Sequence, residues 1–211
     1  MKTPLPSRMQ NVSFAFQAFQ VTRYGSLLLG AVLMAWMGAS KGEISSLERF
    51  SLVAGATSFF WLGGMLDGFL LLYKSASGRE SRAVLGDTVQ AMLLFSLLSA
   101  TVFWVVGWRF YSSISMGMFG AYAVYHCCET LGQLFPYAWV AQNQPRPLLL
   151  YSILGGAGYV ACIFLPLVFG WGLKGILALL LLLGVAKLVF GFRFLEGRSF
   201  LSGSGESYRA L

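Results

Sequence analysis

MGMFGAYAVYHCCETLGQLFPYAWVAQN, residues 116–143, is an apolar run that holds the chain's one histidine, His126, and an acid at mid-run, Glu129. At helical spacing Tyr122, His126, Glu129, Gln133 and Tyr137 fall on one face, with steps of four, three, four and four. An acid in the middle of a membrane-length apolar run costs about 2.5–3.5 kcal/mol on insertion scales, so it faces protein, water or a partner rather than lipid. The stretch therefore predicts a helix with one polar, inward-looking stripe, and an all-α membrane protein built around it.

The rest of the chain agrees with that class. Of 211 residues, 57% are hydrophobic and only 11% are charged, against about 25% charged in a soluble domain. A spanning helix needs about 20 apolar residues, and the chain offers six such runs: 24–40, 50–73, 84–108, 116–143, 148–169 and 176–192. The net charge of +7 comes from scattered residues rather than a dense cluster, which argues against nucleic acid as a partner and for orientation signals beside spans. Cys127, Cys128 and Cys162 all sit inside apolar runs without metal-site spacing, and read as small buried hydrophobes.

Residues 1–22 interleave Phe14, Phe16 and Phe19 with Gln17 and Gln20, and read as an amphipathic approach or the first turns of a long helix. Residues 23–193 form the six-helix transmembrane domain, and 194–211 a flexible, Gly/Ser-rich polar tail. A short loop is expected over 41–47, with Ser46–Arg49 supplying the cap of the second helix, and Asp87 is read as a helix-start acid. Six spans place both termini on one side. With that side cytoplasmic, it carries Lys2, Arg8, Arg23, Lys74, Arg79, Arg82, Arg146, Arg193, Arg198 and Arg209, with Lys187 near the inner end of the last span. The outside carries Lys41, Arg49, Arg109 and Lys174, an asymmetry that favours cytoplasmic termini. Gly63, Gly64 and Gly68 on the second span, with Gly155 and Gly158 on the fifth, are expected helix contacts.

No enzyme signature is present: GxSxG, HExxH and phosphate-binding glycine loops are missing, no metal or cofactor is predicted, and no serine can be placed beside His126 from sequence. The deep charges read as acidic, Asp67 and Glu129. His126 and Glu129, three residues apart, either glue two helices as a satisfied polar pair or line a substrate or ion path.

The order of segments resembles a known family. PYAWVAQNQPRP (136–147), a span closing with LPLVFGWGLKG (165–175) and the run ILALLLLLG (176–184) are similar to the fourth-to-sixth helix region of polysaccharide flippases. These form a branch of the multidrug/oligosaccharidyl-lipid/polysaccharide exporter superfamily. The Phe/Gln stretch leading into Arg23-Tyr24-Gly25, and the glycine-rich 63–68, resemble that family's opening. The resemblance implies one six-helix lobe of a two-lobe exporter in a bacterial-type inner membrane, paired with a second copy or another membrane subunit. It implies a lipid-linked glycan as substrate, passing along Asp67, Tyr122, His126, Glu129 and Gln133. Tyr122 and Tyr137 would stack on sugar rings, with Pro136 and Pro166 as bend points. Acidic deep charges leave room for a cation-coupled drug exporter lobe, and a non-transporting subunit that scaffolds an envelope polysaccharide complex is the rival from another class.

Overall fold

The computed structural model describes residues 7–110 and 115–195, and every regular element among them is helical. In chain order these are α1 (Ser7–Trp36), α2 (Lys41–Ser75), α3 (Arg79–Phe110), α4 (Met116–Gly132), α5 (Leu134–Ala141), α6 (Pro145–Val168) and α7 (Gly172–Phe194). Five stretches are long and apolar enough to cross a membrane: Asn11–Trp36, Lys41–Ser75, Arg79–Phe110, Pro145–Val168 and Gly172–Phe194. Their outer faces carry Leu28, Val32, Phe59, Phe60, Leu94, Leu182 and Val189 in the open, as suits contact with acyl chains.

α4 and α5 are two arms of one broken helix. The break has a covalent cause. Pro136 has no N–H to give the carbonyl four residues back, and its ring crowds that turn. Gln133 ends α4 and opens α5, its N–H shared between the carbonyls of Glu129 and Thr130 at 3.2 Å each.

Helix boundaries differ from the sequence reading in three places. α1 is continuous from Ser7, so residues 7–22 are the first turns of a long helix. α2 starts at Lys41 and not after a loop over 41–47: Ser40 and Glu43 form a capping box, each side chain bonded to the other's backbone N–H. Glu43 also accepts from the Leu173 N–H at 3.0 Å, so one carboxylate holds the starts of both α2 and α7. Asp87 lies more than two turns inside α3, whose first-turn acid is Glu80. Of the tail expected over 194–211, Phe194 is the last residue of α7, and 196–211 lie outside the described residues.

The helices are neighbours in the order α1–α6–α7–α4–α3–α2, and α1 and α2 barely touch. The ring is therefore nearly open at one seam. Two apolar clusters fill it, one around Phe50, Phe103, Phe119 and Ile176, the other around Phe69, Phe135, Trp139 and Tyr151. Close approach depends on glycine where rings lie flat against a helix: a Cβ at Gly191 would strike the Phe135 ring, and one at Gly158 the Leu183 side chain. The α2 glycines behave differently. No described residue lies within 4 Å of a Cβ built at Gly63, Gly64 or Gly68, so the expected contacts there are not made among the described residues.

Candidate functional site

Between the two clusters lies a cavity of about 220 Å³, walled by α1, α2, α4, α6 and α7, so the two helices that barely touch both contribute to it. Tyr122, His126, Glu129 and Gln133 all line it, so four of the five stripe residues share one wall as their spacing requires. Tyr137, past the break, does not line it. Its ring meets Phe16 edge-on at 5.4 Å. Asp67 is exposed on α2, also off the cavity wall, and within electrostatic range of the Tyr137 hydroxyl.

Glu129 is the centre of the site. Its Oε2 accepts from Lys187 Nζ at 2.6 Å and its Oε1 from Gln133 Nε2 at 3.1 Å. Lys187, on α7, is only 7% exposed, and its ammonium also sits 5.2 Å from the centre of the Tyr151 ring. Gly155 lies beside the lysine stem, where a Cβ would sit in ordinary contact at 3.7 Å from Lys187 Cε. Arg23, on α1, lines the same cavity within electrostatic range of Glu129 but makes no ion pair among the described residues. The expectation that the deep charges are acidic is therefore corrected: two cations and one acid face this space. An acid and a base taken far from water are tolerable only together. Lys187 is the lone charge in the apolar run 175–192, and that was the available signal.

His126 belongs to a chain of hydroxyls that crosses three helices. Thr57 gives its single proton to the Ala54 carbonyl at 2.9 Å, so it accepts from Ser99 Oγ at 2.8 Å. With Ser99's proton directed to Thr57, its oxygen is free to accept from His126 Nε2, 3.1 Å away, the direction of that bond being set by the ring's tautomer. Sequence placed no serine beside His126, but the fold does. Beside this chain Thr130 and Ser96 share a hydroxyl–hydroxyl bond at 2.8 Å, a second α3–α4 link. Such interhelical bonds in membranes average about 0.6 kcal/mol each, so the belt fixes register more than it adds stability.

Tyr122 bonds Ser51 through its hydroxyl at 3.2 Å, while its ring stacks on Phe50 at 5.1 Å and meets Tyr125 edge-on. One face of the Tyr122 ring is thus occupied by Phe50. Tyr125 and Tyr159 contribute further to the cavity wall. The arrangement can hold an anionic or multiply hydroxylated group: two cations, one of them paired with Glu129, an amide and several hydroxyls converge in a space otherwise lined by hydrocarbon. Comparison with protein-family models, curated proteins and solved structures returned no match.

Proposed function

We propose that this chain is a flippase-like membrane transporter unit. It moves a lipid-linked oligosaccharide or polysaccharide precursor across a bacterial-type inner membrane, and works as a half-size lobe beside a second copy or another membrane subunit. In this reading the chain crosses the bilayer six times, α4 and α5 together making the fourth crossing, with both termini cytoplasmic.

The observation that carries the reading is the cavity. A charged, hydroxyl-lined space lies inside an apolar bundle, and α1 and α2, which both line it, barely touch one another; in this reading a lipid enters between them without leaving the bilayer. A phosphate-bearing headgroup would meet Arg23 and Lys187, and its hydroxyls would meet Gln133 and the tyrosines. The lipid chain would leave through the seam beside Leu27 and Leu62. Glu129 is already engaged by Lys187, which favours an anionic cargo over the cationic drug of the alternative exporter reading. Transport of a fluorescent lipid-linked glycan into vesicles holding the purified chain is the test, with the partner lobe supplied if one is identified. Arg23→Gln and the pair Glu129→Gln/Lys187→Met are expected to abolish transport while the protein stays folded. Wild-type rates in both would sink the reading.

The non-transporting scaffold keeps one observation in its favour, the exposed α2 face of Gly63, Gly64 and Asp67, which suits a fixed neighbour. A cysteine placed at 133, with Cys127, Cys128 and Cys162 replaced, separates the two readings. Labelling from the aqueous phase supports a transport cavity, and a sealed site supports the scaffold.

A further inference from the structure

The break between α4 and α5 and the buried ion pair share one residue. Pro136 leaves the Gly132 carbonyl without its helical donor, because the proline nitrogen carries no hydrogen. That carbonyl lies in the apolar interior, where an unpaired acceptor is costly. Tyr151 of α6 supplies the missing bond: its hydroxyl donates to Gly132 O at 2.9 Å. Only glycine permits the approach, since a Cβ at 132 would lie 2.7 Å from the Tyr151 oxygen. The same tyrosine, 1% exposed, presents its ring to the Lys187 ammonium at 5.2 Å, and Lys187 holds Glu129. Glu129 in turn is bonded by Gln133, the residue at the break itself.

We propose that Tyr151 is a positioning residue that couples the angle of the α4–α5 break to the seat of Lys187 against Glu129. Its hydroxyl substitutes for the hydrogen bond that Pro136 removes, and its ring forms one wall of the lysine site. The loop of contacts closes on itself: Pro136, Gly132, Tyr151, Lys187, Glu129, Gln133 and back to the break. A change of angle at the break that draws the Gly132 carbonyl, at the end of α4, from the tyrosine hydroxyl frees the ring to turn, and the ring cannot turn without changing what Lys187 rests on. Conversely, anything that draws Lys187 from Glu129 removes the cation that pins the ring face. The break is thus a hinge with its position reported at the cavity wall. This stands on the geometry of the chain alone and does not depend on what the cavity carries.

The test uses the full chain purified in detergent, as wild type, Tyr151→Phe, Pro136→Ala and the double variant. Two quantities are read: the thermal unfolding midpoint, and the rate at which an amine-acylating reagent modifies Lys187, followed by mass spectrometry. Tyr151→Phe keeps the ring and deletes the hydroxyl. It is expected to lower the midpoint by about 2–4 °C, the shift that follows losing one hydrogen bond in a protein of this size, and to raise Lys187 labelling several-fold. Pro136→Ala restores a backbone donor to Gly132, so in that background the same tyrosine change is expected to alter neither quantity. Purely additive effects in the double variant would mean that the two residues do not share the carbonyl, and would overturn the proposal. So would unchanged Lys187 labelling in Tyr151→Phe. If Tyr151→Phe alone fails to fold, recovery of folding in the double variant supports the coupling and continued failure refutes it.

Discussion

Glu129 and Asp67 are the same chemistry in two settings. Both are carboxylates inside apolar runs, and sequence alone treats them alike. In the folded chain Glu129 is held by Lys187 and Gln133 on the inner face of α4. Asp67 stands on the exposed face of α2, among glycines with empty space before them and with no ion pair among the described residues. An acid in an apolar span needs either an internal partner or something supplied from outside. The difference separates an interior that this chain completes by itself from a surface that it does not.

The sharpest way to break the contrast is to remove the internal partner. Glu129→Ala leaves Lys187 buried and unpaired, and unfolding measurements in detergent should show a loss of about 3–5 kcal/mol. Adding Lys187→Met should return most of that loss, because an apolar pair of similar volume replaces a buried ion pair at little cost. If the double variant is no better than the single, the two residues are not the pair described here.

The glycines give the next contrast. Gly191→Ala drives a methyl into the fully buried Phe135 ring, with an expected cost of about 1–3 kcal/mol from overpacking. Ser99→Ala, which takes the hydroxyl partner from His126, should cost about 1–3 kcal/mol by leaving a buried ring nitrogen unmet. Equal stability of the alanine variant and wild type in thermal unfolding would reject the Ser99–His126 bond. On α2 the expectation is the reverse. Gly63→Ala should be neutral or raise stability by up to about 1 kcal/mol, since alanine is the better helix former and meets no neighbour. Asp67→Asn should shift it by less than about 0.5 kcal/mol, as for other exposed positions. The same two substitutions should nonetheless disturb transport or co-purification of a partner if the α2 face is covered in the assembly. Wild-type behaviour in both respects would leave that face to lipid.

Much of the bundle was legible beforehand, because long apolar runs and a 3.6-residue polar stripe are local properties of the chain. The stripe from Tyr122 to Gln133 lines one cavity as its spacing required. Tyr137 left it because Pro136 breaks the helix between them and turns the last arm away. The start of α2 was misread because its polar residues look like a loop. The Ser40-x-x-Glu43 spacing was the signal that they cap a helix instead.

Composition and periodicity settled that the chain is all-helical, apolar enough to cross a membrane several times, and marked by one polar stripe with an acid at its centre. Those properties follow from neighbours in sequence, whose side chains a helix places on fixed faces. Tertiary structure decided which cation meets Glu129, fifty-eight residues away. It also decided which serine meets His126, and which glycines touch anything at all. Pairings between separate helices depend on rotation and depth in the bundle, and nothing local to either helix encodes its partner's.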